Sequence, residues 1–227
     1  MIIRLDHRLL FPPSDLAEGD GLLAVGGDLS EARLLEAYRR GIFPWYSGSD
    51  PILWWSPPRR AVFLPGDEHF SGRMKRKLRN ATFDIRVDTA FTQVVKNCAS
   101  AKRSGDPGTW ITGEMFYAYA ALHEAGYAHS FEAHLDGELV GGLYGVSLGA
   151  AFFGESMFSK VGDASKAAFA FLCEWCWRRG FHFIDGQVPN ENLERLGARE
   201  MERAEFLGRL EVALMEPTLR GEWNSLD

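Results

Sequence analysis

Residues 128–157 read AHSFEAHLDGELVGGLYGVSLGAAFFGESM, and residues 164–188 read ASKAAFAFLCEWCWRRGFHFIDGQV. Asp136-Gly137 lies between two β-prone runs and predicts a tight hairpin joining strands Ala128–Leu135 and Glu138–Leu148. Gly149 separates the second run from a third strand, Ala150–Met157. Asp163 is expected to cap a helix over Ala164–Arg179 that Gly180 stops, and Phe181–Val188 supplies the next strand. Three strands, a helix and a further strand predict an α+β domain whose sheet is mostly antiparallel and flanked by helices.

Working outward, a helix over Met115–Ala125 precedes the first strand and ends at Gly126. A short helix is expected at Asn190–Leu196, and a mixed segment that includes a last strand at Arg203–Leu214. The first 62 residues are punctuated by Gly and Pro and leave room for one clear helix, capped by Ser30 and running from Glu31 to Arg40. We therefore expect a small N-terminal α+β domain at 1–62 and a larger domain at 63–227. The order of elements in the larger one resembles the second half of the acyltransferase fold shared by the N-acetyltransferases, a GNAT-like arrangement. A likeness of fold alone does not identify a substrate.

The chain has 227 residues, of which 46% are hydrophobic and 25% charged, as in ordinary globular domains. A net charge of -6 argues against coating nucleic acid through an overall field, but leaves room for a local basic patch. The densest such cluster is Arg73, Lys75, Arg76, Lys77 and Arg79. Aromatic residues reach 13%, and several stand beside Gly and Pro rather than in periodic runs, so some are expected to line a binding surface. Cys98, Cys173 and Cys176 are read as small buried residues in a reducing compartment, since the single CxxC has no second pair to complete a metal site. No apolar run reaches membrane-spanning length, and a cytoplasmic protein without a membrane partner is expected.

Three groups of motifs carry a more specific resemblance. Gly21-Leu22-Leu23-Ala24-Val25-Gly26-Gly27-Asp28-Leu29 leads to Ala37-Tyr38-Arg39-Arg40-Gly41-Ile42-Phe43-Pro44-Trp45-Tyr46 and then to Pro51-Ile52-Leu53-Trp54-Trp55-Ser56-Pro57. Gly108-Thr109-Trp110-Ile111-Thr112 follows. The last group runs from Gly154-Glu155-Ser156-Met157-Phe158-Ser159 through Asp163-Ala164-Ser165-Lys166 to Ile184-Asp185-Gly186-Gln187. In this order and spacing they resemble the leucyl/phenylalanyl-tRNA-protein transferases over nearly the whole chain. The resemblance implies transfer of Leu or Phe, with Met as a further donor, from aminoacyl-tRNA to proteins beginning with Lys or Arg, which marks them for N-end rule degradation. A monomer is expected.

That reaction turns an ester into a peptide bond and runs downhill, so no ATP, metal or other cofactor is implied, and no HExxH or P-loop occurs. The tasks are to position the ester and to remove a proton from an α-amine, whose ordinary pKa near 8 leaves it mostly protonated at neutral pH. Regular alternation places Asp185 and Gln187 on one strand face. By spacing alone they are equally read as a turn former before Gly186 and an ordinary polar strand residue. The resemblance implies that they are the catalytic pair. An amide is too weak a base to deprotonate an ammonium, so Gln187 is expected to orient and Asp185 to serve as proton acceptor or electrostatic partner.

Glu155 lies in an apolar run, where a carboxylate should reach solvent or meet a cation, either a basic acceptor side chain or an internal Arg. The resemblance places Trp45 and Trp110 against the terminal adenosine of the tRNA. It places Leu143, Phe152, Phe169, Leu172 and Ile184 around the donor side chain. On a regular strand Ile184 faces away from Asp185, so its place in that pocket calls for a twist or bulge. Two rival readings remain at this stage. A CoA-dependent N-acetyltransferase calls for a Q/R-x-x-G-x-G/A cradle, whereas Ser159–Lys166 holds a single glycine. A non-catalytic reader of basic protein termini needs Glu155 but neither Asp185 nor Gln187.

Overall fold

The computed structural model describes residues 2–48, 50–101 and 110–225. Two sheets organise the chain, with elements numbered in chain order. The smaller comprises β1 (Ile3–Leu5), β2 (Leu22–Gly26), β3 (Phe43–Pro44) and β4 (Leu53–Trp55), in the order β1-β2-β4-β3. Between β2 and β3 lies α1, Glu31–Arg39, where the Ser30 hydroxyl accepts the Arg33 N–H at 3.4 Å as expected of an N-cap. Gly41 ends it with φ +68°, a left-handed conformation that L side chains adopt at a cost. A Cβ there would also meet Leu207 Cδ2 at 2.8 Å and Phe206 Cε1 at 2.9 Å.

The larger sheet contains β5 (Arg59–Phe63), β6 (Asp84–Val87), β7 (Ala128–Leu135), β8 (Glu138–Leu148), β9 (Ala151–Ser159), β10 (Phe183–Gln187) and β11 (Arg199–Glu202). Their order is β11-β5-β10-β9-β8-β7-β6. Only the β9–β10 pair is parallel; the other ladders are antiparallel. The β7–β8 hairpin turns at Asp136 (φ +52°) and Gly137 (φ +84°), the two positive φ values of a type I′ turn that matches strand twist. The strand-strand-strand-helix-strand order read from residues 128–188 is therefore present, with the long helix α5 at Ala164–Arg178. β5 runs through residue 62, the expected domain boundary, and pairs with both β10 and β11.

Several local readings change. Asp163 makes no side-chain cap; it has φ +74°, and its carboxylate pairs with Lys77 at 2.9 Å and with Arg73 and Lys166 at 3.5 Å. The Ser159 hydroxyl instead accepts the Ser165 N–H at 3.2 Å, satisfying one of the helix's orphan donors. The helix before β7 is α4 at Gly113–Glu124, starting two residues earlier than expected because Thr112 caps it. The last strand precedes Arg203 rather than following it, and α7 (Arg203–Ala213) is helical throughout. Helices α2 (Gly72–Arg79), α3 (Phe91–Ser100) and α6 (Glu191–Arg195) complete the order. Cys98, Cys173 and Cys176 are buried and form no disulfide among the described residues, and burial pushes the Cys173 and Cys176 thiols up. Among the described residues no helix is long and apolar enough to cross a membrane.

The cores follow the two faces of the larger sheet. On one face Tyr38, Trp54, Tyr119, Phe153 and Phe206 join into a single cluster, so the N-terminal segment and the sheet share apolar packing. On the other, α5 brings Leu172 and Trp175 into one cluster with Phe63, Phe131 and Phe152 of the sheet. Trp223 closes this second core, stacked on Trp175 at 4.0 Å and on His129 at 3.6 Å. Its main-chain N–H donates to Asp88, whose carboxylate also holds His129. Truncating so large a buried ring leaves a cavity that packed neighbours refill poorly. Trp223→Ala is expected to lower the unfolding free energy by about 3–5 kcal/mol in urea titrations.

Candidate active site

The site forms where two neighbouring strands depart from regular pairing. β9 and β10 pair in parallel only from Ala151/Phe183 to Phe153/Asp185, after which the ladder between them stops. At that level the β8–β9 register shifts between Tyr144 and Gly145, which face Ser156 and Gly154 and leave Glu155 as the extra residue. The β5–β10 register shifts between Asp185 and Gln187, and Gln187 adopts φ +64°. Glu155 and Gln187 stand in matching register just past the last β9–β10 pair, and they meet there, the Gln187 Nε2 donating to Glu155 Oε1 at 2.8 Å.

Two tyrosines complete the surroundings of Glu155. Tyr38 on α1 donates its hydroxyl to Oε1 at 2.6 Å, and Tyr119 on α4 donates to Oε2 at 2.8 Å. The two hydroxyl oxygens are themselves 2.7 Å apart. Glu155 is partly exposed and, among the described residues, forms no ion pair; the cation expected of it is replaced by hydroxyls and an amide. Burial of the carboxyl pushes its pKa up to about 7, against the pull of the three hydrogen bonds and with the Asp185 charge adding to the rise. Burial and the Glu155 charge likewise hold both tyrosines well above the ordinary phenol range.

Asp185 occupies a different environment. It is fully buried, with Oδ2 paired to Arg60 Nη2 and Oδ1 accepting from Arg60 Nε at 3.2 Å and from the Gln187 N–H at 2.8 Å. The guanidinium also donates through Nη1 to the Gly41 carbonyl at 3.0 Å and lies over the rings of Phe43 and Phe206, at 4.9 and 4.4 Å. Both carboxylate oxygens are therefore engaged internally. Asp185 and Gln187 do come together, but through the Asp185 side chain and the Gln187 main chain, not as neighbours on one face of a regular strand. Tyr38, Tyr119 and Arg60 escape the sequence reading. Tyr38 stands there only within a motif, with no role of its own, and nothing in Pro57-Pro58-Arg59-Arg60 says which arginine is buried.

Leu143, Phe152, Phe169, Leu172 and Ile184 fall in one cluster, each no more than 3% exposed. Ile184 enters it by ordinary alternation opposite Asp185, so the bulge supposed necessary for it lies one step further on and serves Gln187 instead. Beside the cluster opens a cavity of about 800 Å³ with an apolar floor of Phe70, Met74, Met157 and Leu196 and with Lys160 and Lys166 in its lining. Trp45 is 43% exposed, and its carbonyl accepts the Trp55 indole N–H at 2.6 Å. Trp110 is half-buried against the first core. Tyr46 and Thr112, 3.4 Å apart, join the two segments that carry these tryptophans. Gly108 and Thr109 of the second motif lie outside the described residues. In the basic cluster, Arg73 and Lys77 pair with Asp163, while Lys75, Arg76 and Arg79 are exposed.

Taken together, a mixed sheet that opens between two parallel strands and a carboxyl held at that opening by two phenols and an amide are features of an α+β transferase. The family description "Leucyl/phenylalanyl-tRNA protein transferase" matches residues 62–211, and that of its N-terminal domain matches residues 27–58. The leucyl/phenylalanyl-tRNA--protein transferase of Anaeromyxobacter sp. (strain K) is 55% identical over 222 residues, 98% of this chain and 95% of that one. The Myxococcus xanthus (strain DK1622) protein of the same name is 53% identical over 218 residues, 96% and 93% of the two chains. Among solved structures, that of FemX is similar with a TM-score of 0.48 and 12% identity, over 76% of this chain and 66% of that one. The chain belongs to the leucyl/phenylalanyl-tRNA protein transferase family.

Removing one partner of a buried ion pair strands the other charge and costs about 3–5 kcal/mol. Asp185→Ala is expected to lose that much stability in chemical denaturation. The double variant Arg60→Met/Asp185→Leu should recover most of it, because no unpaired charge remains. Near-additive losses in the double variant would contradict the pairing.

Proposed function

We propose that the chain moves Leu or Phe from aminoacyl-tRNA to the α-amino group of proteins that begin with Lys or Arg. It would act as a monomer in the cytoplasm and so mark those proteins for N-end rule degradation. The observation that carries this reading is the meeting of Glu155 and Gln187 at the parting of β9 and β10, with a closed apolar cluster on the other face of the same strands. An amino group entering there would lie beside hydrogen-bonding groups of fixed direction, and the donor's apolar side chain beside Leu143, Phe152, Phe169, Leu172 and Ile184. Leu and Phe differ little in such a pocket, since one methylene discriminates by about 1–3 kcal/mol.

In this reading Gln187 orients the amine, and Asp185 holds Gln187 in its left-handed conformation through the main-chain N–H. Asp185 is thus a positioning residue, and Glu155 presents a carboxyl to the acceptor's basic terminus. Residues 1–62 contribute Tyr38, Trp45 and Arg60, and residues 63–227 contribute the rest. Trp45 offers an exposed indole for the terminal adenine, with Trp110 on the adjoining segment. Lys75, Arg76 and Arg79 are the members of the basic cluster best exposed to meet tRNA phosphates, with Arg73 and Lys77 turned toward Asp163.

Incubation with radiolabelled Leu-tRNA, Phe-tRNA, Met-tRNA or acetyl-CoA and an Arg-, Lys- or Glu-terminal peptide tests the reading. Aminoacyl label should move to the Arg- and Lys-terminal peptides; acetyl label moving instead would sink it. Stacking of one base is worth about 1–3 kcal/mol, so Trp45→Ala should raise KM for the aminoacyl-tRNA about tenfold or more, with Trp45→Phe intermediate. Added salt should weaken tRNA binding, and less steeply in a Lys75→Ala/Arg76→Ala variant.

A further inference from the structure

We infer that Glu155, closed into a ring with Tyr38 and Tyr119, accepts the proton that the acceptor's α-ammonium must lose before it can attack the ester. The inference rests on the transfer reading above. Its first support is a proton count. Three oxygen–oxygen contacts link Glu155 Oε1 to Tyr38 (2.6 Å), Tyr38 to Tyr119 (2.7 Å) and Tyr119 to Glu155 Oε2 (2.8 Å). An ionised carboxylate only accepts, and each phenol brings one proton, so two protons serve three contacts. One pair of oxygens then faces across 2.6 to 2.8 Å with no hydrogen between.

A proton arriving on Glu155 completes the set. Each of the three oxygen pairs then holds one hydrogen, and the bonds run head to tail around the ring, where each polarises the next. The surroundings act in the same sense. Tyr38 faces the carboxyl from α1 and Tyr119 from α4, with Tyr144 of β8 behind Tyr119 at 5.5 Å between ring centroids. Asp185 and Gln187 face it from β10, and Arg60 on β5 is turned to Asp185. The single nearby guanidinium thus pairs with Asp185 and leaves Glu155 without a cation among the described residues. A pKa of about 7 then sits where a general base works best near neutral pH.

The other two candidates are weaker on chemical grounds. Gln187 is a neutral amide, and Asp185 has both oxygens occupied by Arg60 and the Gln187 N–H. On Glu155, Oε1 takes Tyr38 and Gln187, while Oε2 takes Tyr119 alone and keeps a lone pair for an incoming N–H. In the reaction the acceptor ammonium gives one proton to Glu155, and the freed nitrogen lone pair forms the C–N bond at the ester carbonyl. The bond from that carbon to the terminal ribose oxygen breaks with its electron pair. A second nitrogen proton ends on that oxygen, giving tRNA with a free hydroxyl, and Glu155 returns its own proton to solvent.

Single-turnover transfer from saturating Leu-tRNA to an Arg-terminal peptide, followed from pH 5.5 to 9, tests the inference. The wild-type rate should fall about tenfold per unit below a limb near pH 7. Glu155→Gln should be slower by about 10²–10⁴-fold at pH 7, and should regain rate as pH passes the amine's own pKa near 8. A Glu155→Gln rate equal to wild type at pH 7, while wild type transfers label, overturns the proton role and leaves the transfer reading standing. A wild type that moves no label from tRNA at any pH overturns the transfer reading and this role with it. Should Glu155→Gln fail to fold, the side-chain carboxyl carbon of Glu155 is titrated by NMR in the wild-type protein. A midpoint near 7 supports the role, and one at the ordinary glutamate value of about 4.3 overturns it.

Discussion

Arg60 and Asp185 form an ion pair closed off from water, and the geometry around the site leads back to it. Stripping two charges of solvent costs several kcal/mol each, and only good geometry and further hydrogen bonds offset that cost. Here they are supplied from several places at once. The Gly41 carbonyl at the end of α1, the rings of Phe43 and Phe206, and the Gln187 N–H all converge on the pair. Arg60 belongs to β5 and Asp185 to β10, which are neighbours in the sheet, while Gly41 belongs to the N-terminal segment. The pair therefore ties that segment to one face of the sheet and holds the Gln187 main chain in its left-handed conformation.

A consequence reaches the second carboxyl. With the guanidinium committed to Asp185, Glu155 is left among phenols, an amide and a neighbouring negative charge. Two acidic residues on adjacent strands thus differ because one has a cation and the other does not. Environment rather than residue type assigns their work, as is general for acid–base sites. The register that sets Phe153 beside Asp185 would, carried two residues on, also set Glu155 beside Gln187; the irregularities on their outer neighbours β8 and β5 are where the ladder between β9 and β10 gives way.

Much of the larger sheet is legible in the sequence because its signals are local. Asp136-Gly137 requires two positive φ angles in succession, Gly126, Gly149 and Gly180 end their elements, and Ser30 carries its cap within three residues. Asp163 misleads for a physical reason: it has the chemistry of an N-cap, but Lys77 and Arg73 from a distant helix compete for its carboxylate. The last helix and strand exchange places because Arg199–Glu202 gains its strand character only by pairing with β5.

The family motifs, and with them the residues around the site, stand in the sequence itself. Asp185, Gln187, Glu155, Trp45 and the apolar set can be named from linear order, because a motif is a matter of identity and spacing. What each does is decided by neighbours 30 to 125 positions away, as Gln187 lies 32 from Glu155 and Asp185 lies 125 from Arg60. A carboxylate's proton affinity depends on the charges and donors within a few ångströms and on how much water remains, none of which is encoded locally. The sequence determines which carboxyls the motifs carry; the tertiary structure alone, through the pairing of β9 with β10, brings them together and decides that Arg60 goes to Asp185 and the tyrosines to Glu155.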